Sequence, residues 1–298
     1  WPDKPVRMLV PAPAASSLDV IVRTLGDKLK DRWGQPLVVE NKPGAGGMLG
    51  MDVVAKAAPD GYTLGIGFNG PIAFAPFMYK KMAYQPARDL LPVVLTTSQP
   101  NVLAVSASVP AQTLPEFVAW AKQQAGKVSY GSVGNGSSSH LSMELLRGAA
   151  GFDAVHVPYN GSPPAAASLA AGDTQALMAV APALLPLVQA GKVRFLAVTS
   201  AQRIGNLKEL PTVAESGLAN FEALAWNGLF APAGTPAEVV QRINTDVNAL
   251  LKDPAVMESF QKQGLIPGGG SVAQFRGYIE AESAKWGAII RQAGISID

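Results

Sequence analysis

Short β-rich runs alternate with helical periodicity through the first hundred residues, and this rhythm constrains the fold more than any other feature of the chain. Residues 6–10, 37–39 and 63–67 read as strands, with helical stretches at 20–29 and 47–58 between them. Strand, helix and strand in that order predict βαβ units around a mostly parallel sheet. In the first helical stretch Ile21, Leu25 and Leu29 recur four apart. That spacing makes a buried stripe, which is core and not a cofactor site.

The pattern restarts at Val102. Thr113-Leu114-Pro115-Glu116 reads as a capping box opening a helix to Ala125, and strands follow at 128–131, 154–157, 177–180 and 195–198. Beyond Trp226 helices dominate, announced by Thr235-Pro236-Ala237-Glu238, a capping box with proline at the first helical position. Further start signals stand at Asp253-Pro254 and at Ser271-Val272-Ala273-Gln274. A helical tail this poor in strands is expected to pack back on the first lobe. At 298 residues the chain is about twice the usual domain size. The expected division is therefore lobe 1 at 1–100 and 226–298 and lobe 2 at 101–225, with hinge crossings near 98–101 and 223–227.

A formal net charge of +2, with no basic block beyond Lys80 and Lys81, argues against nucleic acid and anionic membrane surfaces as partners. The absence of cysteine removes disulfide frameworks and thiolate zinc sites. No His/Asp/Glu cluster has ligand spacing, so neither metal nor cofactor is expected. No run of eighteen apolar residues is present, so no membrane-spanning helix is expected. The chain opens at Trp1-Pro2-Asp3 without an initiator Met, which reads as a mature chain whose signal peptide has been removed.

Enzyme chemistry finds little footing. Only His140 and His156 offer a base at neutral pH, and no G-x-S-x-G elbow occurs. Ser137, Ser138 and Ser139 beside His140 admit a hydrolase reading, set against helix capping by the same residues. Gly65-Ile66-Gly67-Phe68-Asn69-Gly70 matches a dinucleotide fingerprint with Asp89 about twenty residues on, but Pro71 and Pro76 are expected to spoil the helix that a pyrophosphate needs. What recurs is a strand running into small residues and then a helix, at 10–19 and again at 131–140. Such loops expose main-chain N–H groups at a helix N-terminus, where the dipole favours an anion. Neither loop carries Lys or Arg, so a carboxylate would rest on amides and hydroxyls rather than in an ion pair.

Several stretches together resemble the Bug, or TctC-like, receptors of tripartite tricarboxylate transporters. They are Pro5-Val6-Arg7 with Val10-Pro11-Ala12-Pro13-Ala14, the run from Val38 to Gly47, Ala58-Pro59-Asp60-Gly61-Tyr62-Thr63-Leu64, Tyr130-Gly131-Ser132 through Gly136-Ser137, Val157-Pro158-Tyr159-Asn160-Gly161, Gly191-Lys192-Val193-Arg194 with Leu196-Ala197-Val198-Thr199, and Pro232-Ala233-Gly234-Thr235-Pro236. The resemblance implies a two-lobed type II periplasmic-binding-protein fold, α/β in each lobe, with a hinge and an interlobe cleft that closes on a small carboxylate through backbone contacts and ordered water. Carried over position by position, it implies ligand-binding residues Pro13, Ala14, Ala15, Ser16 and Ser17, with Phe68 and Asn69, in the first lobe. In the second it implies Gly136, Ser137, Ser138, Tyr159, Asn160, Gly161 and Ala181.

Asp19 and His140, just past those loops, read as capping or orienting groups. Two departures shape the expected ligand. Ala12-Pro13-Ala14-Ala15-Ser16 replaces the family's aromatic-Pro-Ala-Gly-Gly, which restricts φ and widens the pocket. Ala179-Val180-Ala181 stands where the family usually offers an Asp, leaving a ligand amino group without that partner. The expected protein is a periplasmic receptor, monomeric and not an enzyme, that captures a small monocarboxylate, aromatic or otherwise low in polarity, for membrane transporter subunits. The alternatives are a sensor component presenting the same ligand and, from another class, a hydrolase built on Ser137 and His140.

Overall fold

A computed structural model describes residues 1–297, which form two compact α/β units, Trp1–Ser98 with the chain from Trp226 onward, and Gln99–Ala225. In unit 1 the chain runs through β1 (Val6–Val10), α1 (Ser17–Trp33), β2 (Leu37–Asn41), α2 (Met48–Ala55) and β3 (Thr63–Phe68). After β3 come a π-helical turn (Gly70–Phe74), α3 (Ala75–Met78), α4 (Pro86–Asp89) and β4 (Leu90–Pro100), along which the chain leaves the unit. Unit 2 contains β5 (Val102–Ser106), α5 (Leu114–Gln123), β6 (Ser129–Ser132), α6 (Ser138–Ala150), β7 (Val155–Pro158), α7 (Ser162–Ala171), β8 (Ala176–Ala179), α8 (Ala181–Gln189) and β9 (Val193–Val198). The chain returns along β10 (Leu224–Pro232) and finishes unit 1 with α9 (Ala237–Leu250), α10 (Pro254–Lys262), β11 (Ile266–Pro267) and α11 (Val272–Ala293).

The sheet of unit 1 has the order β11-β4-β10-β3-β1-β2, with β1 parallel to both β2 and β3, and β10 antiparallel to β3. One face is covered by α1, α9 and α10. Ile21, Leu25 and Leu29 of α1 join Val240, Ile243 and Val247 of α9 and Phe260 of α10 in a single buried cluster. The Trp33 indole N–H donates to Asp246 Oδ2 at 2.8 Å and ties α1 to α9. On α11, Glu282 accepts from the indoles of both Trp226 and Trp286, and Trp286 packs edge-on against Phe74 of the π turn. In unit 2 the order is β7-β6-β8-β5-β9; β6 is parallel to β7 and β8, whereas β5 runs antiparallel to both of its neighbours.

Three expectations need correction. The segment after β3 is helical despite Pro71 and Pro76, because each proline sits in the first turn of its own short helix, where its missing N–H has no partner to lose. Thr235 does not cap α9; its hydroxyl donates to Pro232 O at 2.8 Å, and Pro236 takes the cap position without a side-chain bond. Beyond Trp226 a strand continues to Pro232 in the middle of the sheet.

Gly228 in that strand makes room for α11. A Cβ there would stand 2.2 Å from the Phe275 ring and 2.9 Å from Val94 O. Gly228→Ala is therefore expected to lower the free energy of unfolding by roughly 1–3 kcal/mol, the usual cost of overpacking a filled core. An unchanged urea midpoint would show that α11 is not seated against β10 as described.

Candidate functional site

The parallel strands of each unit end together, and the turns that follow them carry the candidate residues. In unit 1 the register pairs Val10 with Asn41 and Leu9 with Gly65, so the exits of β1, β2 and β3 are neighbours. In unit 2 Ser132 pairs with Pro158 and Gly131 with Leu177, which brings together the exits of β6, β7 and β8.

The same device follows β1 and β6. Ser16 N donates to Pro13 O at 3.2 Å, and Ser137 N donates to Gly134 O at 3.3 Å, closing two four-residue turns. The third residue of each turn is left-handed: Ala15 at φ 64° and Gly136 at φ 68°. The fourth is the N-cap, where Ser16 Oγ accepts from Asp19 N and Ser137 Oγ accepts from His140 N. One turn into each helix a side chain reaches back to the left-handed residue. Asp19 Oδ2 accepts from Ala15 N at 2.9 Å, and His140 Nδ1 accepts from Gly136 N at 3.1 Å. Helix geometry leaves the next amides, Ser17 and Leu18 in one unit and Ser138 and Ser139 in the other, without intrahelical acceptors.

In unit 1 the acceptor is an ion. Asp19 is buried, bonded to Arg23 Nε at 2.9 Å and to Asn41 Nδ2 at 3.0 Å, and Asn41 also donates to Ala12 O. The Arg23 bond, together with the Ala15 amide and Asn41, outweighs burial and lowers the Asp19 pKa to about 2. The stability this lends is present above the ordinary carboxylate range and is lost as pH falls through about 2. Phe68 is half-buried and Asn69 buried at the exit of β3. Gly47, at φ 91°, approaches Phe68 so closely that a Cβ would lie 2.6 Å from its ring. Pro13, Ala14, Ala15 and Ser17 are exposed, and Ser16 is half-buried.

In unit 2 the acceptors are neutral. His140 and His156 stack with ring centroids 3.7 Å apart, and His156 Nε2 lies 2.6 Å from Ser132 Oγ, which also accepts from Gly134 N. Gly136 is buried, while Ser137 and Ser138 are half-buried. Tyr159 N donates to Ser132 O, its carbonyl accepts from Gly161 N, and its hydroxyl bonds Ser168 Oγ at 2.5 Å, so its polar atoms all have partners within unit 2. Asn160 is exposed and Gly161 has φ 101°. Ala181 opens α8 with its side chain in the core of unit 2, which leaves only its main chain to offer. The structure thus gathers the first-unit candidates around β1 and β3 and the second-unit candidates around β6, β7 and β8. The sequence does not mark Asn41, Ser132 or His156 as ligand-binding residues, although Asn41 and Ser132 lie inside motif stretches and His156 is one of the two candidate bases.

The hydrolase reading fails on geometry. The Ser137 hydroxyl donates to Gly134 O at 2.7 Å and caps α6, and the His140 acceptor nitrogen is taken by Gly136 N. The two side chains therefore share no nucleophile-to-base hydrogen bond. Among the described residues no group of three or more His, Asp or Glu side chains is placed to hold a metal ion, and no helix is long and apolar enough to cross a membrane. Unit 1 also contains a cavity of about 650 Å³ bordered by Ile72, Phe77, Leu91, Phe230, Arg276 and Ile279.

Amides fixed on turns at strand exits, present in each α/β unit, suit the binding of a small anionic solute. The family model of the tripartite tricarboxylate transporter family receptor, TctC, matches residues 21–295, and the chain belongs to that family. Its members are substrate-binding receptors and not enzymes. BugT of Bordetella pertussis is 35% identical over 298 residues, 100% of this chain and 91% of BugT. Among solved structures, Rpa4515 of R. palustris with adipate is 36% identical with a TM-score of 0.88, covering 99% of both chains. MatC from Rhodopseudomonas palustris with bound malate is 30% identical with a TM-score of 0.83, covering 97% of this chain and 100% of MatC. The fold is also that of the periplasmic binding protein BugD, which is 31% identical with a TM-score of 0.83 over 99% of both chains.

Ala15 carries a testable strain. A left-handed alanine costs roughly 1–2 kcal/mol, and glycine would return most of that less its own chain entropy. Ala15→Gly is expected to raise stability by about 0.5–1 kcal/mol. A lower Tm would mean that the Asp19 bond does not hold Ala15 in this conformation.

Proposed function

We propose that this chain is the periplasmic receptor of a tripartite tricarboxylate-type transporter, a monomer that captures a small monocarboxylate of low polarity and delivers it to membrane subunits. The observation that carries this reading is the pair of turn-and-cap devices, in which amides are fixed at helix starts while neither turn holds a cation. Donors of that kind suit an anion carrying one or two oxygens and leave the rest of the ligand to apolar neighbours. The candidate ligand-binding residues of unit 1 are Pro13, Ala14, Ala15, Ser16, Ser17, Phe68 and Asn69. Those of unit 2 are Gly136, Ser137, Ser138, Tyr159, Asn160, Gly161 and the main chain at Ala181. Adipate on Rpa4515 and malate on MatC support a carboxylate. The apolar exit of β8, Ala179-Val180-Ala181, supports a ligand without an amino group.

Calorimetry with hexanoate, adipate and malate tests the ligand class, and Ser137→Asp tests the site. Hexanoate is expected to bind at least as tightly as adipate, with malate weakest; malate binding tightest would overturn the low-polarity assignment. Asp remains a good N-cap. It nevertheless adds a negative charge about 4 Å from the ligand's, a repulsion of roughly 4 kcal/mol at an effective dielectric of 20. Affinity should fall about a thousandfold in a variant that still folds. Near-normal affinity would place the carboxylate elsewhere.

A further inference from the structure

Both histidines of the chain are spent on one turn. His140 Nδ1 accepts from Gly136 N, and His156 acts through Ser132 on Gly134 N. An imidazolium has no acceptor nitrogen, so the Gly136 bond exists only while His140 is neutral with its proton on Nε2. His156 of β7 lies parallel to it, the interplanar angle 8°, and Tyr130 of β6 stacks beside both rings, its centroid 5.0 Å from that of His156 and 6.4 Å from that of His140. From their own helix α6, Glu144 and Arg147 complete the charged surroundings, Glu144 accepting from both Tyr130 and Arg147. A second positive ring 3.7 Å from the first would be strongly unfavourable in this buried setting.

We propose that His140 is the positioning residue for ligand capture by unit 2: its neutral Nδ1, kept as an acceptor by burial against the His156 ring, aims the Gly136 turn and the amides of α6 at the carboxylate. The inference rests on the carboxylate-receptor reading given above. Unit 1 performs the same task with a carboxylate, Asp19, whose charge is matched by Arg23. In unit 2 the acceptor brings no negative charge toward the helix start, which leaves the dipole of α6 unopposed there. Burial, then the neighbouring His156 and Arg147, lowers the His140 pKa to about 3; burial foremost lowers that of His156 to about 4. Both folded-state values lie below the unfolded one, near 6.5, so the neutral pair favours folding fully above that pH. Stability is lost progressively as acidification proceeds from there toward the folded values.

The decisive comparison is His140→Asn against His140→Leu. The Asn oxygen can accept from Gly136 without titrating, whereas Leu fills the space without an acceptor. In calorimetry with hexanoate and adipate, the Asn variant should stay within about threefold of the parent, and the Leu variant should bind roughly tenfold more weakly, the loss of one main-chain bond. The Asn variant should also lose Tm less steeply than the parent between pH 6.5 and 4. Equal weakening by Asn and Leu in folded protein would overturn the proposal.

A second readout needs neither ligand nor variant. The 15N spectrum of the parent protein should show His140 protonated at Nε2 and bare at Nδ1, with slow exchange of the Gly136 amide. A proton on Nδ1, or rapid Gly136 exchange, would overturn the positioning role even if carboxylates bind. Failure of all three carboxylates to bind would instead defeat the receptor reading, with the tautomer and exchange still deciding how the turn is held.

Discussion

The hydrogen bond from a left-handed turn residue to a side chain one helical turn later is the contact on which the rest of the candidate site depends. Without it, Ala15 and Gly136 would be held only by the turn closure and the serine cap, with no bond from the helix side chains. Main-chain donors are weak individually and gain their effect by being fixed before the ligand arrives. A cation on a flexible side chain can follow its anion; an amide cannot. The turns therefore need anchoring from outside themselves, and Asp19 and His140 supply it.

The two units solve one geometric problem with different chemistry. Asp19 is a charged acceptor, which is tolerable in a buried place because Arg23, Asn41 and the Ala15 amide surround it. His140 is uncharged and is kept so by burial and by a ring at van der Waals distance. Each solution reaches past its own loop: Asn41 ties the exit of β2 to that of β1, and His156 with Ser132 ties β7 to β6. The parallel registers make these ties geometrically available, since neighbouring strands end side by side.

Much of this was legible in the residues, and what was not has physical causes. Strands 6–10 and 63–67 and the caps at Ser137, Asp253 and Ser271 depend on local pattern and short-range bonds, which a sequence displays directly. Strand β10 was hidden because Asn227 and Gly228 resemble a turn. They are strand residues because Thr96 and Thr97 bond Asn227 and because Phe275 fills the space over Gly228, contacts that join distant parts of the chain. The helical turns at Pro71 and Pro76 depended on exact cap positions, and Thr235 had a competing carbonyl three residues back. At the site, the small-residue turns stood out, whereas the roles of Asn41, Ser132 and His156 are bonds made to distant segments, which local pattern does not display. The alanine at position 15 looked like a restriction on φ; the structure shows the left-handed conformation retained and anchored by Asp19.

Backbone amide chemical shifts during a titration of 15N-labelled protein with hexanoate test the central claim most directly. Capture on the fixed turns requires the largest changes at Ala15, Ser16, Ser17, Gly136, Ser137 and Ser138. Changes centred instead on Phe77, Leu91, Arg276 and Ile279, around the cavity of unit 1, with those six amides unmoved, would contradict the account.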